Sequence, residues 1–143
     1  METTWQLLSR ELKAPEGVMT DSFIMKFDRY MDWNLLSENY DFSIDMLRIY
    51  FHRVVWSKIL RKKLFSESFL REMAISFDNA AWEVLSRYQF LSEQFILDFT
   101  DKVDWDYVSL YQNVSSKFIT DHKPTADEDE LLARSLREVD LHE

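Results

Sequence analysis

Cysteine is absent from this chain, and its 143 residues include one glycine and two prolines. Without cysteine there are no disulfides and no thiolate metal sites, a composition compatible with a reducing compartment. Beta sandwiches and nucleotide-binding α/β folds use glycine for tight turns and for close approach of backbone to phosphate. With Gly17 alone available, neither is expected. No apolar run reaches the roughly 18 residues that a membrane span needs. The opening stretch METTWQLLSRELK has neither the basic lead nor the apolar centre of a signal peptide. Catalytic signatures are missing as well. His52, His122 and His142 stand without a second histidine or cysteine at metal-ligand spacing. There is no Walker loop, dinucleotide fingerprint or nucleophile elbow. Asp101, Asp104 and Asp106 cluster where a helix begins, so capping accounts for them. The expectation is a non-enzymatic, all-α protein without metal or cofactor, with no membrane association and a cytoplasmic location. At this size about two thirds of the unfolded surface can be buried.

Against these absences stand five tryptophans, Trp5, Trp33, Trp56, Trp82 and Trp105, at spacings of 28, 23, 26 and 23 residues. Each opens a similar pentad: WQLLS, WNLLS, WSKIL, WEVLS and WDYVS. Leu8, Leu36, Ile59, Leu85 and Val108 follow the tryptophan by three positions, which places the pair on one helix face. A second signature comes later in each unit: TDSFI at 20–24, SIDML at 43–47, SESFL at 66–70, SEQFI at 92–96 and SSKFI at 115–119. Its leading Ser or Thr suits a helix N-cap, and the acid at Asp21, Glu67 and Glu93 suits the first turn. The residue before the cap (Met19, Phe42, Phe65, Leu91, Val114) is apolar in every copy. So is the fourth helical residue (Ile24, Leu47, Leu70, Ile96, Ile119), the pattern of a hydrophobic staple. In four copies the signature starts ten residues after the tryptophan. In the first it starts fifteen after, and the extra residues fall near APEGV, where turn residues gather.

Each unit therefore reads as a short helix begun near tryptophan, a tight turn, and a second short helix begun at Ser or Thr. Helices this short are not stable alone and must pack against their neighbours. The expected architecture is an α-solenoid-like tandem array of short helix pairs over 1–123, with the tryptophans and phenylalanines in its core. Residues 124–143 are expected to form an acidic linker and a C-terminal amphipathic helix, with Leu132, Leu136 and Val139 on one face.

The unit is best preserved at 82–119. Tyr88-Gln89 and Tyr111-Gln112 share its middle, and Ser92 to Ile96 with Asp101 to Trp105 carry its second half. In these residues the chain resembles tandem repeats that recur in proteins of large DNA viruses and of bacteriophages. The resemblance covers roughly 5–123, and it implies a viral or phage origin and an accessory, protein-binding role.

Charge is polarised. Residues 1–47 carry a net −5, residues 48–71 a net +6 and residues 72–143 a net −10, for −9 overall. The basic island contains Arg48, Arg53, Lys58, Arg61, Lys62, Lys63 and Arg71, with Tyr50, Phe51 and Trp56 interleaved. Such a stretch can be a solvated face, can pair with the acidic flanks, or can bind an acidic protein surface or nucleic acid. The overall acidity argues against general affinity for nucleic acid. The copies share their apolar positions, so partner specificity is expected where they differ most, in the charge of the unit opened by Trp56. Lys58, Arg61, Lys62 and Lys63 are the expected partner-binding residues. The leading functional expectation is a protein-binding accessory factor that inhibits a host complex, such as a CRISPR–Cas or other antiviral defence machine. The alternatives are a nucleic-acid mimic occupying a basic channel, and a small enzyme with no recognisable motif.

Overall fold

The computed structural model describes residues 1–14 and 17–124, and the described residues are predominantly α-helical. Ten α-helices follow one another in five pairs. They are α1 (Thr4–Glu11) with α2 (Asp21–Lys26), α3 (Trp33–Asn39) with α4 (Ile44–Ile49), α5 (Trp56–Lys62) with α6 (Glu67–Met73), α7 (Asn79–Tyr88) with α8 (Glu93–Asp98), and α9 (Trp105–Tyr111) with α10 (Ser116–His122). The expected C-terminal helix lies outside the described residues.

Local chemistry explains where these helices begin. All five second helices are capped by the expected hydroxyl. Thr20, Ser43, Ser66, Ser92 and Ser115 accept from the N–H of Phe23, Met46, Phe69, Phe95 and Phe118, at 3.0–3.2 Å. The first helices use aspartate instead: Asp32, Asp78 and Asp104 accept from the N–H of Leu35, Ala81 and Tyr107. Thr3 and Gln6 form a reciprocal capping box on α1. Among these ten helices of the described residues, α5 alone starts without a side-chain cap, because Val55 occupies that place. Ser92→Ala is expected to lower the unfolding free energy by about 1 kcal/mol, the usual worth of such a cap, when compared with wild type by urea denaturation.

The first helices pack in chain order, α1 on α3, α3 on α5, α5 on α7 and α7 on α9. The second helices are linked along their exposed side by ion pairs from α4 to α6 (Arg48–Glu72, 2.9 Å) and from α6 to α8 (Arg71–Asp98, 2.7 Å). Between the layers lies one core. Leu36, Ile59, Leu85 and Val108, three residues after their tryptophans, are buried, and so are Ile24, Leu47, Leu70 and Ile96. Trp56, Trp82 and Trp105 are buried with them, whereas Trp5 and Trp33 are half-buried. Trp5 rests on Phe23, Phe27 and Tyr30 of its own unit.

Around the insertion in the first unit two short strands pair antiparallel, β1 (Lys13–Ala14) with β2 (Gly17–Val18), in the register Lys13↔Val18 and Ala14↔Gly17. Leu12 leaves α1 in the left-handed conformation, and Gly17 has φ 135°, a value that side chains disfavour. A hairpin this short has no apolar alternation, so periodicity marks only an insertion at this place.

Candidate interaction surface at the repeat junctions

Two kinds of polar side chain hold successive units together. The first is the serine four residues after the tryptophan. Ser9, Ser37 and Ser86 are fully buried. Each accepts from the backbone N–H that opens the next unit: Asp32 to Ser9 (3.0 Å), Val55 to Ser37 (2.8 Å) and Asp104 to Ser86 (2.9 Å). Ser9 and Ser86 donate in turn to the carbonyls of Trp5 and Trp82.

The second is the glutamine seven residues after the tryptophan. Gln89 donates from Nε2 to the carbonyls of Leu60 (2.8 Å) and Lys63 (2.7 Å) and accepts at Oε1 from the Phe65 N–H (2.9 Å). Gln112 repeats this one unit later. It donates to Ser86 (2.9 Å) and Gln89 (2.7 Å) and accepts from the Leu91 N–H (3.0 Å). Each glutamine thus clamps the end of the preceding first helix, where carbonyls lack intrahelical partners. Every buried side-chain nitrogen and oxygen among the described residues is hydrogen-bonded. Periodicity arguments pass over both residues because a buried polar side chain interrupts an apolar pattern. The signal was nonetheless present, as the fifth letter of four pentads and as the repeated Tyr-Gln pair.

The first three units have Leu12, Tyr40 and Lys63 in place of the glutamine, and the two junctions between them solve the same problem differently. The Leu12 carbonyl accepts from the Met19 N–H (2.7 Å), which the hairpin delivers, and the Tyr40 carbonyl accepts from Lys62 Nζ (3.1 Å). Tyr40 itself donates its hydroxyl to Asp21, and Tyr50 donates to Asp28 (3.0 Å). Burial first, and then these carboxylates, push both phenols above the ordinary tyrosine value.

The basic island is distributed along these junctions. Arg48 pairs with Glu72 and lies over Phe69; Arg53 donates to the Asp28 carbonyl and lies over Trp33; Arg71 pairs with Asp98 and lies over Phe95 and Phe99. Arg71 and then Gln94 hold the Asp98 carboxyl below its ordinary value by hydrogen bonding. Of the four expected partner-binding residues, Lys58 is half-buried and reaches Glu38 at 3.4 Å, and Lys63 reaches Asp41 at 3.6 Å. Lys62 is exposed as a residue, but its ammonium end is tucked against the Tyr40 carbonyl. Desolvation there pulls it below the ordinary lysine value, against the opposing influence of Asp41 and Glu38. These three lysines all reach back to the unit before them. Arg61 alone turns forward, its guanidinium 5.8 Å from the Tyr88 ring centre.

Arg61 thereby starts a ladder across the C-terminal ends of α5, α7 and α9. Tyr88 lies between Arg61 and Arg87, and Arg87 also lies over Tyr107 and Tyr111 at 5.9 and 5.1 Å. Tyr88 and Tyr111 are exposed. Leu64, Phe90 and Leu110, at the same helix ends, are 56, 78 and 73% exposed, well beyond what packing requires. Beside the ladder, between α3 and α5, a cleft of about 470 Å³ is lined by Tyr40, Phe42, Ile59, Lys62, Lys63 and Phe65, with Glu38 and Asp41 at its acidic side. No group of His, Asp and Glu among the described residues is arranged to hold a metal ion. No helix among them is long and apolar enough to cross a membrane. The geometry defines an all-α protein of paired short helices whose variable side chains converge at the ends of the first helices. No protein-family model, curated protein or solved structure matches this chain.

Proposed function

We propose that this protein is a non-enzymatic, protein-binding factor whose partner docks across the C-terminal ends of α5, α7 and α9. The observation that carries this reading is the Arg61–Tyr88–Arg87–Tyr111 ladder, flanked by exposed Leu64, Phe90 and Leu110. Tyrosine and arginine are the residues that most often dominate protein interfaces, and apolar neighbours exclude water around them. Rings already held under guanidinium groups lose little rotamer freedom on binding. The resemblance of the unit at 82–119 to repeats of large DNA viruses and bacteriophages supports a narrower form of the same reading. In that form the protein is a viral or phage accessory factor acting in the host cytoplasm, and its partner is a host complex such as an antiviral defence nuclease.

The test is a paired capture experiment in host lysate. The double substitution Arg87→Glu with Tyr88→Ala is expected to preserve the helical circular dichroism spectrum, since both side chains are exposed. It should weaken capture of the wild-type partner at least about tenfold, the usual scale for losing an interface anchor. A nuclease assay on the captured complex then reads inhibition. Equal capture by the double variant removes the ladder as the interface. Displacement of the partner by DNA or RNA would favour nucleic-acid mimicry instead.

A further inference from the structure

The cleft between α3 and α5 occupies a repeat position that this chain fills with its own glutamine at the two later junctions. There, Gln89 and Gln112 each satisfy two carbonyls and one N–H of the preceding unit. The corresponding groups at the α3–α5 junction are the carbonyls of Ser37 and Tyr40 and the N–H of Phe42. The residue in the place of the glutamine is Lys63. Its side chain points away to Asp41, and the chain leaves α5 with φ −144°, against −90° at Tyr40, −89° at Gln89 and −92° at Gln112. Lys62 partly compensates at the Tyr40 carbonyl. The Phe42 N–H, on a residue only 3% exposed, has no partner among the described residues. The result is a cleft of about 470 Å³, within the usual range of ligand sites.

We propose that this cleft binds a side-chain carboxamide, the glutamine of a partner polypeptide, in the way the later junctions bind Gln89 and Gln112. Of the groups that line the cleft, the partner's Oε1 would accept from the Phe42 N–H and its Nε2 would donate to the Tyr40 carbonyl, with Lys62 shifting aside. Charge at the mouth is balanced, Lys62 and Lys63 against Glu38 and Asp41, which favours a neutral ligand over an ion. Tyr40, Phe42 and Phe65 supply apolar walls for the aliphatic stem. The cleft abuts the Arg–Tyr ladder through consecutive Arg61, Lys62 and Lys63, so a chain crossing the ladder reaches it. The natural source of the glutamine rests on the protein-binding reading, but the chemistry of the cleft does not.

The experiment uses the full chain, labelled with nitrogen-15, and three capped tripeptides: acetyl-Ala-Gln-Ala-amide, acetyl-Ala-Glu-Ala-amide and acetyl-Ala-Met-Ala-amide. The glutamine peptide is expected to shift the Phe42 amide resonance saturably, with at least about tenfold tighter binding than the other two, as expected when a site built to hydrogen-bond loses its partner group. Lys63→Gln supplies the side chain from within. It is expected to raise the thermal midpoint by a few degrees and to abolish binding of the glutamine peptide. The inference is overturned by the absence of a saturable shift at Phe42, by equal binding of the glutamate peptide (which would mark an anion site on Lys62 and Lys63), or by unchanged peptide binding in Lys63→Gln. Failure of the wild-type chain to capture any partner from lysate, with peptide binding intact, would instead count against the protein-binding reading and leave the cleft standing.

Discussion

Phe95→Ala is expected to lower the unfolding free energy by about 3–5 kcal/mol, the range for deleting a fully buried aromatic ring. Phe95 is fully buried at the third position of α8. Its ring centre lies 4.7 Å from Phe99 and 6.5 Å from Trp82, and Arg71 of the preceding unit covers it at 5.2 Å. One substitution therefore removes packing within the fourth unit and the aromatic seat of an ion-paired arginine from the third. Helices of six or seven residues have no independent stability to absorb that loss. A domain of this size has about 5–15 kcal/mol in all, so a large part of the margin disappears. Urea denaturation monitored by circular dichroism reads the change. If Phe95→Ala is as mild as Ser92→Ala, α8 is not anchored through this ring.

Gln89→Leu is the second large effect, and it concerns hydrogen bonding alone. The substitution leaves the carbonyls of Leu60 and Lys63 and the N–H of Phe65 without their partner at a site where Gln89 is 1% exposed. Each buried group so orphaned costs about 1–3 kcal/mol, and partial relaxation brings the expected total to about 2–4 kcal/mol. Gln112→Leu removes the same three bonds from a half-buried side chain at the last junction, where water can replace them, so it should be clearly milder. Equal effects would mean that burial does not set the worth of the clamp. Gln89→Glu adds a pH signature. The ionised carboxylate loses both donors and faces two carbonyls, whereas the protonated carboxyl can still donate to one. Its folded pKa is therefore raised above the unfolded value near about 4.3. The native state then binds the extra proton, and unfolding free energy falls as pH rises through that window. Relative to wild type, the variant should be closest in stability in mild acid and weakest at neutral pH.

Pattern alone was enough for the helix pairs, their caps and most of their core. Thr20, Ser43, Ser66, Ser92 and Ser115 all cap as their position implies, because capping is decided within four residues of chain. The aliphatic residues three places after the second to fifth tryptophans are buried because helical spacing places them on the same face as the ring. The insertion was legible as an insertion, and its hairpin form was not. The basic island was legible as a run of like charge. Its division into Lys58, Lys62 and Lys63 reaching back and Arg61 reaching forward was not, since each partner lies in a neighbouring unit twenty residues or more away.

By itself, then, the sequence determined that this is an all-α chain of repeated short helix pairs, where those helices start, and which apolar side chains they bury. These follow from interactions between residues a few positions apart, which periodicity records directly. Only the tertiary structure decided how the units are joined. The buried serines and glutamines, the Arg–Tyr ladder and the open cleft at Lys63 all depend on side chains meeting backbone groups or rings of a neighbouring unit. Their strength comes from burial at the junction, where a polar group must find its partner or pay in full for losing water, and burial exists only once the units have packed.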